Sequence, residues 1–384
     1  MTTMADPRSA VFGGVDTHLD VHVAAALDGV GAELGVKSFP TTAAGYGQLL
    51  EWLTSFGAVI KVGVEGTGSY GAGITRHMLG AGVAVVEVDR PNRQKRRRVG
   101  KSDPVDALSA ARAALSGDAH GAAKTRSGSV EAIRVLRVVR SSARRDRTEA
   151  LNQLRSLVST APDELRAKLR DLSGLQLIAT TAALRPGSQL DVLSATKTAL
   201  RELGRRAQYL VDQISRLDDQ LGPLVAATAP KMIIQYGVGT DTAGALLVAA
   251  GDNPERLRHE AAFAHLCGSS PIEASSGKVT RHRLNRGGDR QANNALWRIV
   301  IVRMSNDPDT RAYVERRTKE GKSKREIIRC LKRYVARELF PFYPREYPLD
   351  ITRSISIREP ERLRMARLPT SLRVPALTPA VAVA

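Results

Sequence analysis

Over residues 11–115, short apolar runs of strand length alternate with stretches of helical spacing. Residues 11–15 and 21–27 read as adjacent strands, and Asp28-Gly29 turns the chain into a third strand ending near Phe39. Thr41 or Thr42 is placed to cap a helix carrying Leu49, Leu50 and Leu53. The apolar run 59–64 predicts another strand, followed by a helix through Ile74 and Met78 and then a strand over 83–88. A hairpin first and crossover helices afterwards predict a mixed sheet, because a purely parallel sheet would not begin with Asp-Gly joining neighbouring strands.

From about residue 129 to 230 the pattern becomes helical. Leu200, Leu203, Ala207, Leu210, Ile214, Leu217, Leu221 and Leu224 recur three and four apart, an a/d seam that predicts a coiled-coil hairpin or a long bundle helix. Leu136, Val139, Ala143, Ala150, Leu154 and Leu157 offer the partner face. Arg134, Arg137, Arg140, Arg144 and Arg147 lie on an adjoining face, either as a solvated surface or as a phosphate-binding stripe. The expected organisation is α/β plus all-α: a disordered start (1–10), an α/β domain (11–120), a helical coiled-coil linker (121–230), a mostly helical domain (231–345) and a basic disordered tail (346–384).

Charge narrows the partners. Lys plus Arg number 58 against 39 Asp plus Glu, a net charge of +19, which favours a polyanion. No apolar run is long enough to span a bilayer, and the first ten residues lack a secretory pattern, so a cytoplasmic, nucleoid-associated protein is expected. Two cysteines exclude a disulfide framework or a Cys-rich zinc site. Aromatics at 4% argue against base-stacking platforms as the main device.

Gly66-Thr67-Gly68-Ser69-Tyr70-Gly71 fits a dinucleotide fingerprint, with Glu87 and Asp89 where a ribose-binding acid would stand. Glu65 immediately before the first glycine would repel a pyrophosphate, and the unit follows a hairpin rather than opening the domain. That reading is rejected. The acids themselves are more informative. Asp16 ends the first strand and Glu65 a later one, while Asp103 and Asp106 share one face of a helix start with Ser102 or Asp103 as cap and Pro104 in the first turn. A hairpin-led sheet with acids at these places describes a ribonuclease-H-like layout, whose hard oxygen ligands suit Mg²⁺ or Mn²⁺. An actin-like sugar kinase also opens on Gly-Val-Asp, but the second phosphate-binding half is missing. Arg93, Lys95, Arg96, Arg97, Arg98 and Lys101 form a linker with no acid among them, suited to phosphate contact.

In the third unit, Gly237 and Gly239 lie in a run resembling a helix-hairpin-helix turn, which offers backbone N–H groups to phosphate; Tyr236 stands where that motif usually has proline. Downstream, Ser269, Ser270, Ser275 and Ser276 lie in a Gly-containing loop followed by Lys278, Arg281, His282, Arg283 and Arg286. A hydroxyl exposed amid cations has what attack on phosphate requires, although such a loop is more often only a loop.

The motifs GVDTHLD at 14–20, VEGTGSYG at 64–71 and KSDPVDA at 101–107 resemble the DEDD transposases of the insertion sequence 110 family, which include the Piv-type invertases. The resemblance covers residues 11–344. It implies a RuvC-like domain in which Asp16, Glu65, Asp103 and Asp106 hold Mg²⁺, and a serine that joins transiently to DNA. The family pattern Pro-x-x-x-Ser-[Ser/Thr]-Gly matches residues 271–277 and aligns that nucleophile with Ser275, Ser276 being the close second. It also implies a bridge RNA pairing with donor and target DNA, and an active site shared between subunits of a dimer or tetramer. The rivals are a Mg²⁺-dependent structure-specific endonuclease of the junction-resolvase type and an architectural DNA-binding protein.

Overall fold

The computed structural model describes residues 9–88, 102–119, 121–187, 191–252, 257–279 and 281–344. The basic linker with Arg93, Lys95, Arg96, Arg97, Arg98 and Lys101, Asp89, residues 1–8 of the expected disordered start (1–10) and the expected tail at 346–384 lie outside the described residues, whereas Ala10 of that start already begins the first strand.

Strands β1 (Ala10–Thr17), β2 (Val21–Asp28) and β3 (Glu33–Pro40) form an antiparallel meander. Strands β4 (Ala58–Glu65) and β5 (Ala84–Val88) then add in parallel to β1, and the short β6 (Gly121–Ala122) closes the far edge antiparallel to β5. The order is β3-β2-β1-β4-β5-β6, the mixed sheet that the opening Asp-Gly turn predicts. Asp28 fixes that turn by accepting the N–H groups of Val30 and Ala32.

Alternation sorts the sheet into two faces. On one, Val11, Val15, Ala24, Ala26, Val62, Val64 and Val85 pack with Leu49 and Leu53 of α1 (Ala43–Thr54) and Ile74 and Met78 of α2 (Ala72–Gly80). The Thr42 hydroxyl caps α1 by accepting the Gly45 N–H at 3.1 Å. On the other lies α3 (Asp103–Ser116), whose buried face is Ala107, Ala110, Ala111 and Ala114. It sits unusually close. A Cβ on Gly14 would come within 2.1 Å of the Ala111 nitrogen, and one on Gly63 within 2.4 Å of the Ala110 carbonyl oxygen. Small residues on both sides let backbone meet backbone.

His22, on β2, is fully buried against Tyr46, the rings stacked at 5.7 Å, and neither ring nitrogen has a hydrogen bond among the described residues. Burial, helped by the charge of His18, pushes its pKa from 6.5 down to about 4. Below pH 6.5 the unfolded chain takes up a proton that the folded chain refuses until about pH 4. Stability therefore falls with pH across that window, by about 3 kcal/mol at its acid end. His22→Phe, which keeps the stack, is expected to flatten that part of the profile; urea midpoints at several pH values measure it, and an unchanged slope would clear His22.

The long helices α4 (Ser129–Ser159) and α7 (Val192–Thr228) run antiparallel, with α5 (Asp163–Leu169) and α6 (Gly174–Ala182) between them in sequence. Val130 and Ile133 share a core with Leu221 and Val225, Ala143 packs with Leu210 and Ile214, and Leu154 lies with Leu200 and Ala207. Of the expected α4 face, Val139 departs and is 46% exposed. Arg137 points inward instead, where its guanidinium reaches Asp241 of α9 (Thr240–Ala250). Arg140 bonds Asp218 and Asp241, Arg144 approaches Asp241 at 3.7 Å, and Arg134 pairs with Glu131 on its own helix. Neither reading of the arginine stripe describes Arg137 and Arg140, because they neutralise acids at a packed junction.

Burial alone would raise the Asp241 pKa, but Arg137, Arg298 and Arg140 hold it below the ordinary carboxylate value. The stability this contributes is present at neutral pH and lost as pH falls through that lowered value. Asp241→Asn leaves Arg137 buried without its counter-charge and is expected to cost about 3–5 kcal/mol in chemical denaturation. A loss under about 1 kcal/mol would show the arginines re-solvating.

The remaining helices are α8 (Pro230–Ile233), α10 (Glu260–Leu266), α11 (Arg290–Asn306), α12 (Pro308–Lys319) and α13 (Lys324–Leu339). Their core, centred on Phe263, Leu296, Ile299 and Leu339, also takes in Val130, Ile133, Leu221 and Val225. On α13 the buried face is Ile327, Leu331, Val335 and Leu339, with Ile328 packed at its margin, while Lys332 and Arg333 are half-buried. No helix among the described residues is long and apolar enough to cross a membrane.

Candidate active site

Asp16 shares a face of β1 with Gly14, and Glu65 shares a face of β4 with Gly63, so both acids project towards α3. The paired register runs to Val15 and Val64, leaving Asp16 and Glu65 one step on at the same level of neighbouring parallel strands. The Thr17 hydroxyl donates to the Glu65 carbonyl at 2.8 Å and ties the two strand ends together.

The third and fourth acids arrive on α3. Ser102 is its N-cap, Pro104 lies in the first turn, and Asp103 and Asp106 follow at the positive end of the helix dipole. Asp106 is buried. Asp103 lies within one ligand radius of Asp16: a carboxylate oxygen of each, with a ring nitrogen of His18, fall within 4.8 Å of one another. His18 Nε2 is 3.1 Å from Asp16 Oδ2 and 3.4 Å from Asp103 Oδ1.

Burial is the main cause of a raised Asp16 pKa. His18 opposes it, and the charges of Asp106 and then Asp103 add to it. A half-dry carboxylate crowded by two others is what a divalent cation relieves, and the donors are hard oxygens with one imidazole. The structure thus brings Asp16 and Asp103 into one cluster, sets Asp106 within electrostatic reach of Asp16, and places Glu65 on the same face.

Sequence reasoning missed His18, although it stands two residues after Asp16 and so keeps the same side of the chain. It also missed Tyr70, which is half-exposed and lines a cleft of about 440 Å³ with His18, Val21 and Asp103. Of the fingerprint glycine loop, Thr67 is buried and its hydroxyl donates to Glu87 at 2.7 Å, so the loop is pinned from inside.

Ser275 lies on a different element. Strands β7 (Ile272–Glu273) and β8 (His282–Arg283) pair antiparallel, and the ladder continues through Ala274 and Arg281 to mutual bonds between Ser276 and Val279. Gly277, at φ +57, makes the tip with Lys278. What reads in sequence as a loop is a projecting hairpin. The Ser275 hydroxyl accepts the Arg281 N–H at 3.2 Å and is itself exposed. Lys278, Arg281, Arg283 and Arg286 are exposed along the hairpin and its exit. Gly237, at φ +76, turns the chain from α8 towards α9. The Gly239 N–H donates to the Thr242 hydroxyl at 3.0 Å.

A half-buried acid cluster at the ends of the central strands of a mixed sheet, joined to a mostly helical remainder, defines a candidate divalent-metal protein. Residues 13–161 match the transposase family model of the IS110 DEDD type, and residues 235–315 match the Transposase IS116/IS110/IS902 family, together more than half of the chain. A stretch of 134 residues is 31% identical to the insertion element IS110 uncharacterized 43.6 kDa protein of Streptomyces coelicolor, covering 34% of this chain and 32% of that relative. The chain belongs to the IS110 family of transposases.

Proposed function

We propose that the protein is a transposase that exchanges DNA strands, with Asp16, Glu65, Asp103 and Asp106 as its metal-binding acids and Ser275 as its nucleophile. The observation that carries the reading is the meeting of Asp16, His18 and Asp103 at the end of the central strand β1, with Asp106 beside them. Mg²⁺, or Mn²⁺, held there would polarise a phosphodiester and stabilise its departing oxygen. The strand order supports a RuvC-like, ribonuclease-H-like domain over 11–120. The antiparallel α4 and α7 support a coiled-coil linker over 121–230, leaving 231–345 as the serine-bearing unit.

Ser275 is presented on an exposed hairpin, as suits an active site completed by a second copy in a dimer or tetramer. The net charge of +19 suits DNA together with a bridge RNA. Lys278, Arg281, Arg283 and Arg286, the Gly237–Gly239 turn and the linker around Arg96 are the proposed phosphate contacts. The structure-specific endonuclease remains the second reading, favoured by one observation: the Ser275 hydroxyl is engaged by the Arg281 backbone.

The test is to incubate the protein with labelled element-end DNA, bridge RNA and Mg²⁺ and separate the products under denaturing conditions. A covalent protein–DNA band that needs the metal supports the transposase; metal-dependent nicking with no such band supports the endonuclease.

A further inference from the structure

At the foot of the Ser275 hairpin the chain forms an open cleft of about 700 Å³. That size falls within the roughly 300–1,000 Å³ of pockets that bury small ligands. Its walls are of two kinds. Pro271 and Leu284, which flank the two hairpin strands, and Tyr334 of α13 give apolar surface; Leu284 is 51% and Tyr334 44% exposed. Arg286, Arg290, Arg329 and Lys332 give positive charge.

Among the described residues none of these four cations is ion-paired with a carboxylate, whereas Arg333 on the same wall is bonded to Glu260 at 2.9 Å. Lys332 is half-buried, and its one hydrogen-bond partner among the described residues is the neutral Asn293 amide oxygen at 2.9 Å. Burial, then Arg329, lowers its pKa. The uncompensated charge of half-buried Lys332 has an energetic cost that an anion would offset, and Arg286, Arg290 and Arg329, which are exposed, stand ready to contact the same anion.

The site is also braced. Asn293 donates to the Cys267 carbonyl at 2.7 Å, Asn285 to the His265 carbonyl at 2.8 Å, and Gly268 and Gly288 cross so closely that a Cβ on Gly288 would lie 2.3 Å from the Gly268 nitrogen. A preformed concavity with an apolar wall and unpaired cations fits a flat ring joined to a phosphate. A duplex cannot offer that, because its bases are stacked inside; a base turned out of the stack can.

We propose that this cavity holds one unpaired nucleotide of a nucleic-acid strand, its base against Leu284 and Tyr334 and its phosphate on Arg286, Arg290 and Arg329. Pro271 stands four residues before Ser275, about 13 Å along an extended chain. The captured nucleotide would therefore lie a few positions from the phosphate offered to the serine and fix the strand's register there. The inference rests on the strand-exchange reading for the source of the strand, but its test needs no catalysis, so the two can fail separately.

The cavity contains its own reporter. Cys330 lines it and is half-buried, while Cys267, the second of the two cysteines, is fully buried with its thiol pKa pushed up by that burial. The full chain is treated with a maleimide, and the labelling rate of Cys330 is followed against rising concentrations of four probes. These are a DNA tetranucleotide, an RNA tetranucleotide, a short DNA duplex and a mononucleotide.

A tetranucleotide is expected to slow labelling at least about tenfold at concentrations where the duplex and the mononucleotide do not, and whichever of DNA and RNA protects better names the strand. Arg329→Gln should weaken protection, and Tyr334→Ala should weaken it by about 5–150-fold, the value of one stacked base. Tyr334→Phe should keep it, as should Arg166→Gln on α5. Equal protection by the duplex, equal protection by the mononucleotide, or no protection by any probe would each overturn the proposal. So would full protection in Arg329→Gln, which sits on the surface and removes little packing.

Discussion

Ser275→Ala is expected to abolish the covalent adduct and lower strand exchange by more than about 10⁴-fold, the scale on which loss of a covalent nucleophile is felt. Folding should scarcely notice. The hydroxyl is exposed and bonded to the Arg281 backbone, so its loss costs about 1 kcal/mol at most. DNA binding should hold, since no charge is removed. Ser276→Ala serves as the comparison, because neighbouring residues on a paired strand point to opposite faces of the hairpin. It should keep both adduct and exchange. An adduct that survives Ser275→Ala and disappears in Ser276→Ala would move the nucleophile by one residue. An adduct surviving in both, and in the double variant, would leave the metal-dependent endonuclease as the account of the site.

Asp16→Asn is expected to reduce exchange by about 100-fold or more, because loss of even an outer-shell partner of a metal typically costs about 10–100-fold. Stability should move the other way or stay level. The folded chain raises the Asp16 pKa, through burial first and the neighbouring acids after it, so the ionised carboxylate is a cost to the fold at neutral pH that the amide removes. Mg²⁺ should raise the melting temperature of the wild-type chain and leave that of Asp16→Asn unmoved, since a ligand stabilises only the state that binds it. Near-normal exchange in Mg²⁺ would take Asp16 out of the site.

Much of the sheet is legible in the sequence because its signals are local. Asp28-Gly29 makes a turn wherever it lies between two apolar runs, and Thr42 caps α1 whatever packs around it. The candidate acids can be picked out too, since Asp16 and Glu65 stand at strand ends and Asp103 and Asp106 at a helix start with Pro104 in its first turn. What escapes depends on partners distant in sequence. Arg137 reads as part of a surface stripe until Asp241, about a hundred residues later, folds against it. Val139 carries the seam spacing yet faces solvent, because the buried side of α4 follows Ile133, Arg137, Ala143 and Ala150. The Ser275 hairpin has almost no apolar alternation, so only its paired backbone marks it as strand. His18 escapes for a different reason: its role is given by Asp103, which only the docking of α3 delivers.

That docking depends on atoms that are absent. Between α3 and the sheet the spacing is set by the hydrogen atoms of Gly14 on β1 and Gly63 on β4, and the Asp103 and Asp106 carboxylates ride on the helix that rests there. The two glycines act as shims that gauge the distance between acids on the sheet and acids on the helix. One added methyl group at either would shift a pair of the proposed ligands without touching either of them. A search for inactivating changes would then find positions that carry no polar side-chain atom at all, and their defect would show as a weakened hold on the metal in a chain whose four acids are all intact.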